Sequence, residues 1–219
     1  MSFPIDEFIE QYPLLYHMAQ AGTWDSIQKI GLLSTTALLD LFEVNGELRT
    51  RIESQHRPEC VQISHPRHGA VEIRDQKPMS EKALHKCLLD VTPQQWYELL
   101  NRRVFLWVTE KRVVTLLQAR AYKNREHLVL TIDTTRLLKK HAQNVTLSPI
   151  NSGSTVYNPQ PRGSSTFSSF DEFPYAERKK YGKGAVAELT VDYSVLDIRD
   201  FVVRAEVRKS DEIIDVVYE

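Results

Sequence analysis

The sequence predicts an α+β fold, with helices concentrated early and strands late. Three observations carry this. Apolar residues recur at helical spacing in the first half, as in Trp24, Ile27 and Ile30. Val104–Val108 and Leu128–Ile132 are short apolar runs that read as buried strands. Phe201, Val203, Ala205 and Val207 alternate with Val202, Arg204, Glu206 and Arg208, which is the two-residue period of a strand.

In chain order, Ile5, Phe8 and Ile9 predict a short amphipathic helix over 4–13, closed near Pro13. Leu14 to Met18 reads as a first strand. Thr23 is placed to cap a helix ending at Gly31, where a left-handed terminal residue is wanted. Ser34 is placed to cap a second helix, with Leu38, Leu41 and Phe42 facing inward. Residues 45–70 are polar and weakly patterned, so a loop with one helical piece is expected, followed by a short strand over Val71–Asp75. Lys82–Leu89 reads as helix. Thr92-Pro93-Gln94-Gln95 combines a cap, a proline preset at the first helical position and a glutamine that reaches back, the signature of a capping box. Lys111–Tyr122 and Thr134–His141 are expected helices, and 185–191 a strand. Residues 151–183 are rich in Ser, Gly and Pro and are expected to form a long loop. Loops of this length inside a domain are usually functional or disordered. No internal repeat or domain boundary is evident, so one domain over 1–219 is expected.

With 219 residues and a formal net charge of −1, the chain is large enough for a real core and carries no long block of one sign. Coating of nucleic acid by bulk charge is therefore not expected, though local basic patches are compatible with the composition. No apolar run approaches the roughly 20 residues of a membrane span, and the acidic start Met1–Glu7 lacks a signal-peptide pattern. Cys60 and Cys87 show no paired spacing, which suits a reducing cytoplasm.

The chemistry-bearing residues are few. Glu188 lies inside an apolar strand, on the face opposite Ala187 and Leu189. A lone glutamate there is most simply solvent-facing. A carboxylate at a cleft floor, just after a long loop, would instead stabilise positive charge building on a sugar. His17 ends an apolar strand and is either a satisfied core histidine or a group that hydrogen-bonds a ribose hydroxyl. Tyr16 and Trp107 offer aromatic surface for a nicotinamide ring, or are simply core. Arg49, Arg51 and Arg74 are candidates for a pyrophosphate, which suits the guanidinium fork, against the plainer reading of solvated surface arginines. Neither GxGxxG nor GxxxxGK[ST] occurs, so Rossmann and P-loop chemistry are not expected. His56, Cys60, His65 and His68 do not make a convincing ligand set, and no metal is expected. In the 151–183 loop, aromatic and basic residues interleave, a composition that suits stacking on bases and contact with phosphates; a surface loop pinned by its aromatics is the alternative.

The stretches Leu15-Tyr16-His17-Met18, Gly31-Leu32-Leu33-Ser34, Ile73–Pro78, Val104–Trp107, Ala119–Tyr122 and Ile150–Thr155 resemble an uncharacterised bacterial family of small soluble proteins over nearly the full chain. More distantly, the strand–His17–helix–Gly31-Leu32 opening and the late Ala187-Glu188 strand resemble the DarT-type toxins. These have the ADP-ribosyltransferase fold and modify DNA bases using NAD. The resemblance implies a split, twisted β-sheet with helices on the flanks and an NAD cleft. It implies Glu188, His17 and Arg51 as catalytic residues. Tyr16, Ser34, Arg49 or Arg51, Arg74 and Trp107 would accompany His17 in holding NAD. Asn151, Arg162, Phe167, Tyr175 and Arg178 would meet the acceptor, a DNA or RNA base, and an antitoxin would be a partner. The middle third, residues 55–102, departs from the toxins. Two other readings stay open: a non-enzymatic binding protein that contacts a partner through 151–183, and an RNA phosphotransferase-like activity, against which Glu188 speaks.

Overall fold

The computed structural model describes residues 2–219. In chain order its strands are β1 (Leu14–Gln20), β2 (Leu32–Leu33), β3 (Val61–His65), β4 (Gly69–Ile73), β5 (Arg103–Trp107), β6 (Glu126–Asp133), β7 (Val145–Ser148), β8 (Glu188–Asp192), β9 (Ser194–Val195), β10 (Val202–Lys209) and β11 (Glu212–Tyr218). The helices are α1 (Ile5–Gln11), α2 (Trp24–Ile30), α3 (Thr35–Leu41), α4 (Gly46–Glu53), α5 (Glu81–Cys87), α6 (Pro93–Asn101), α7 (Glu110–Leu117), α8 (Thr134–His141) and α9 (Tyr175–Arg178). The α+β class expected from the sequence is the class observed. No described helix is long and apolar enough to cross a membrane.

A 7-stranded sheet in the order β11-β10-β6-β1-β5-β8-β7 runs through the molecule, with every pairing antiparallel. Residues opposite one another on paired strands share a face. One face carries Leu15, Leu130, Ile132, Leu106, Leu189 and Leu147, buried beneath α1, α2, α8 and a cluster of aromatic rings. The other carries Met18 and Val129, covered by Val113 and Leu117 of α7. Two smaller clusters lie beside the sheet. One joins α5 and α6 through Leu84, Trp96 and Leu100. The other seats α3 and α4 on the β3–β4 hairpin through Leu39, Ile52 and Ile63.

The sheet is continuous by hydrogen bonding but opens at its centre. β1 pairs with β6 along its whole length, from Leu14↔Asp133 to Gln20↔His127. With β5 it shares the single register pair Tyr16↔Trp107. Beyond Tyr16 the two strands diverge, and the opening between them is where the site lies.

Two helix starts form as the sequence dictates. The Thr92 hydroxyl accepts from the Gln95 amide at 3.2 Å, and the Gln95 side chain accepts from the Thr92 amide at 2.8 Å. The Ser34 hydroxyl accepts from the Ala37 amide at 3.1 Å. Thr23 differs: its hydroxyl donates back to the Gln20 carbonyl at 2.7 Å and makes no cap bond. Residues 45–70 also differ. They hold α4, all of β3 and the start of β4, whose weak alternation the charged residues obscure. The helix expected to reach Tyr122 ends at Leu117. The 151–183 segment has little regular structure, but Arg162, Phe167, Phe170, Phe173 and Tyr175 are buried and tie it to the core.

Gly31 ends α2 with φ +96°. A Cβ there would fall 2.4 Å from the Leu196 Cα and 2.8 Å from the Val195 carbonyl, because β2 and β9 pair immediately beside it. Gly31→Ala is therefore expected to lower stability by about 2–4 kcal/mol, from backbone strain plus displacement of a neighbouring main chain. Thermal unfolding measures this, and an unchanged melting temperature would contradict it.

Candidate functional site

The opening between β1 and β5 leads into a cleft of about 240 Å³. It brings together His17 of β1, Arg74 after β4, Trp107 of β5, Asn151 of the long loop and Glu188 of β8. These residues come from segments far apart in the chain and were all singled out from the sequence.

His17 holds the split together. With no β5 backbone opposite it, its Nδ1 lies 2.8 Å from the Phe105 carbonyl. A carbonyl only accepts, so Nδ1 carries the hydrogen and Nε2 is left as an acceptor. The ring is half-buried. Desolvation pulls its pKa down to about 4, with the nearby Arg74 charge acting in the same direction and the Phe105 carbonyl opposing. At neutral pH it is an uncharged imidazole of fixed tautomer.

Glu188 opens β8, opposite Trp107 on one neighbour and Ser148 on the other. It is 3 % exposed, so it faces protein and cleft instead of bulk water. Ser152 holds it: the hydroxyl donates to Oε2 at 2.7 Å, and the amide donates to the two oxygens at 3.3 and 3.2 Å. Burial pushes its pKa up to about 7, against the lowering effect of those hydrogen bonds and of the Arg112 and Arg162 charges. A carboxyl that changes charge near neutrality, in a cleft, is the kind of group acid–base or electrostatic catalysis uses.

Behind Ser152 stands Arg162, 1 % exposed. Its guanidinium donates to the Ser152 carbonyl at 2.8 Å and to the Gln160 carbonyl at 3.0 Å, and lies 5.7 Å from the Trp96 ring centre. The order is thus Arg162, Ser152, Glu188, with each group fixing the next.

Other residues singled out from the sequence lie elsewhere. Arg49 is tied to Asp40 at 2.6 Å and Glu53 at 2.8 Å. Arg51 is exposed on α4 and lines neither cavity. Ser34 is buried as the α3 cap. Tyr16 packs in the cluster under α7 and does not line the cleft. Phe167 is enclosed between Trp96 and Phe105. The Tyr175 ring stacks on Phe3 at 3.7 Å, and its hydroxyl donates to Glu7 at 2.6 Å. Arg178 donates to the Ala185 carbonyl at 2.6 Å and the Pro149 carbonyl at 3.2 Å. Arg162, Phe167, Tyr175 and Arg178 therefore use their side chains within the protein. Exposed surface on the same segment belongs instead to Tyr157, 88 % exposed, and to Tyr181 beside Lys180. The sequence reading did not single out Ser152, Asn101 or Arg103 as cleft residues. Ser152 had a signal, the Asn-Ser-Gly-Ser-Thr run in which it sits, and Asn101 lies in the Leu100-Asn101 stretch shared with the bacterial family.

A second cavity of about 280 Å³ adjoins the first. Its walls are mostly apolar and come from α2, β2, α3 and the β3–β4 hairpin, including Ile27, Leu32, Leu41 and Phe42. His17, Met18 and Arg74 line both cavities. The Arg74 side chain is exposed and approaches the Tyr122 ring at 5.4 Å.

Fold and site together define an α+β protein with an opened antiparallel sheet, and with a neutral imidazole and a buried carboxyl in the cleft beneath the opening. The chain belongs to a family of unknown function, DUF7002, whose model matches residues 13–202. That match spans both His17 and Glu188. No curated protein matches the chain.

Proposed function

We propose that this protein cleaves NAD and transfers its ADP-ribose to an acceptor, on an ADP-ribosyltransferase-like split sheet. The observation that carries this reading is the junction of the two cavities at His17, Met18 and Arg74. A dinucleotide has two arms joined by a pyrophosphate. The mostly apolar cavity suits an adenosine arm, the Glu188 cleft suits the nicotinamide ribose, and the exposed Arg74 guanidinium between them suits the pyrophosphate. The divergence of β1 from β5 supports the split-sheet expectation.

In this reading the His17 Nε2 accepts a hydrogen bond from a ribose hydroxyl and fixes the sugar. Trp107 lines the nicotinamide side. The bond from the ribose anomeric carbon to the nicotinamide nitrogen breaks, and its electron pair neutralises the ring. Positive charge grows on the sugar, where the Glu188 carboxylate stabilises it. The acceptor nucleophile then bonds to the anomeric carbon and loses its proton to Glu188 or to water. A nucleic-acid base as acceptor is supported by the exposed Tyr157 and Tyr181 rings and by Lys180 and Lys183 on the segment preceding Glu188.

The test is incubation with NAD while nicotinamide is followed, alongside thermal unfolding with and without NAD. Release accompanied by a rise in melting temperature is the expected result. A rise without release, in the presence of single-stranded DNA and RNA, would favour a binding protein. Neither a rise nor release would overturn the reading.

A further inference from the structure

We infer that the end of the central cleft next to α6, formed by Arg57, Asn101 and Arg103, binds a phosphomonoester. As a feature of the acceptor this rests on the ADP-ribosyl transfer reading; as an anion site it stands on its own geometry.

Burying a cation is costly unless an anion or a full set of acceptors answers it. Arg57 is 6 % exposed yet lines the cleft. Its Nε donates to the Arg74 carbonyl at 2.8 Å, its Nη2 to the Asn101 side-chain oxygen at 3.3 Å, and its Nη1 to the Ile52 carbonyl. All three acceptors are neutral, and a guanidinium has five N–H groups, so donors remain. Arg103, half-buried on β5, donates to the Leu99 carbonyl at 2.6 Å and lies 4.4 Å from the Phe167 ring centre. It too lines the cleft. Among the described residues, the ion pairs of the protein involve neither.

The two carboxyls in the cleft are occupied elsewhere. Glu188 is held by Ser152. Asp75 accepts from the Lys77 amide at 3.0 Å and the Tyr122 hydroxyl at 3.1 Å. Burial draws the pKa of Arg57 down to about 10 and lowers that of Arg103, outweighing the opposing charges of Asp75 on Arg57 and of Asp192 on Arg103, neither of which forms an ion pair with them. Arg208 shows the usual remedy, since Glu206 and Glu110 answer its charge. Arg162 also lacks a carboxylate partner, but does not line the cleft.

Two arginines lining one cleft suit the double charge and several acceptor oxygens of a phosphomonoester dianion better than the single charge of a phosphodiester. The site adjoins the junction assigned to the pyrophosphate but uses other side chains: Arg74 lines both cavities, while Arg57 and Arg103 line only the central one.

The test is calorimetric titration of the full chain with inorganic phosphate and with dimethyl phosphate, for wild type, Arg103→Gln and Arg74→Gln. Phosphate is expected to bind wild type and to outcompete the diester. Arg103→Gln is expected to weaken phosphate about tenfold, the loss of charged hydrogen bonds, while the thermal shift from NAD persists. Arg74→Gln is expected to do the reverse. No phosphate binding, equal binding in Arg103→Gln, or loss in Arg74→Gln alone would overturn the site. If Arg103→Gln does not fold, phosphate protection of Arg57 and Arg103 against phenylglyoxal in wild type, read by peptide mass, decides the same point. A failure of the NAD reading would appear separately, as no NAD shift with the phosphate results intact.

Discussion

Glu188→Gln is expected to reduce nicotinamide release by about 10²–10³-fold or more, the size of loss seen when a charge-stabilising group is removed from a reacting centre. The amide keeps the shape and still accepts from Ser152, so the fold should survive. pH dependence separates this from a positional effect. Burial raises the Glu188 pKa from 4.5 to about 7, so between those values the folded protein holds a proton that the unfolded chain has shed. The stability this contributes is complete below pH 4.5 and is lost as pH rises through 7, about 3 kcal/mol in all. Wild type should therefore lose stability relative to Glu188→Gln over that window. Nicotinamide release needs the ionised form and should rise over the same window when NAD is below saturation. His17, pulled to about 4, does not titrate there. A wild-type rate flat from pH 5 to 8, or a variant as active as wild type, would remove Glu188 from the chemistry.

Arg162→Ala is expected to cost about 2–4 kcal/mol of stability and most of the activity, although Arg162 does not line the cleft. Its loss leaves the buried Ser152 carbonyl without its 2.8 Å donor and the Trp96 ring without a covering side chain. Ser152 then loses its support and releases Glu188. With those hydrogen bonds weakened, the Glu188 pKa should climb further, so the rate profile should move to higher pH in any variant that still folds. A merely structural arginine would lower the melting temperature and leave that profile in place. Unfolding scans and pH–rate curves on the same preparation distinguish the two.

How much was legible follows from the range of the forces involved. The Thr92 capping box, the Ser34 cap, the alternation of β10 and the apolar runs of β5 and β6 depend on residues a few positions apart, so the chain alone determined them. His17 and Glu188 were also legible, as polar groups on otherwise apolar strands. Longer-range features were not. β3 is masked by the charged residues around it, and β7 is four residues long. Phe167 and Tyr175 looked like a stacking surface, and only packing against Trp96 and Phe3 turned them inward. Arg49, Arg51 and Arg74 were equivalent as letters. Tertiary contacts gave Arg49 two carboxylates, left Arg51 on the outside of α4, and put Arg74 between two cavities. The sequence by itself determined most of the helices and the longer strands, and marked His17 and Glu188 as polar groups on apolar strands. Only the tertiary structure decided which charges surround them, because an arginine's role is set by the groups it meets, and those come from remote parts of the chain.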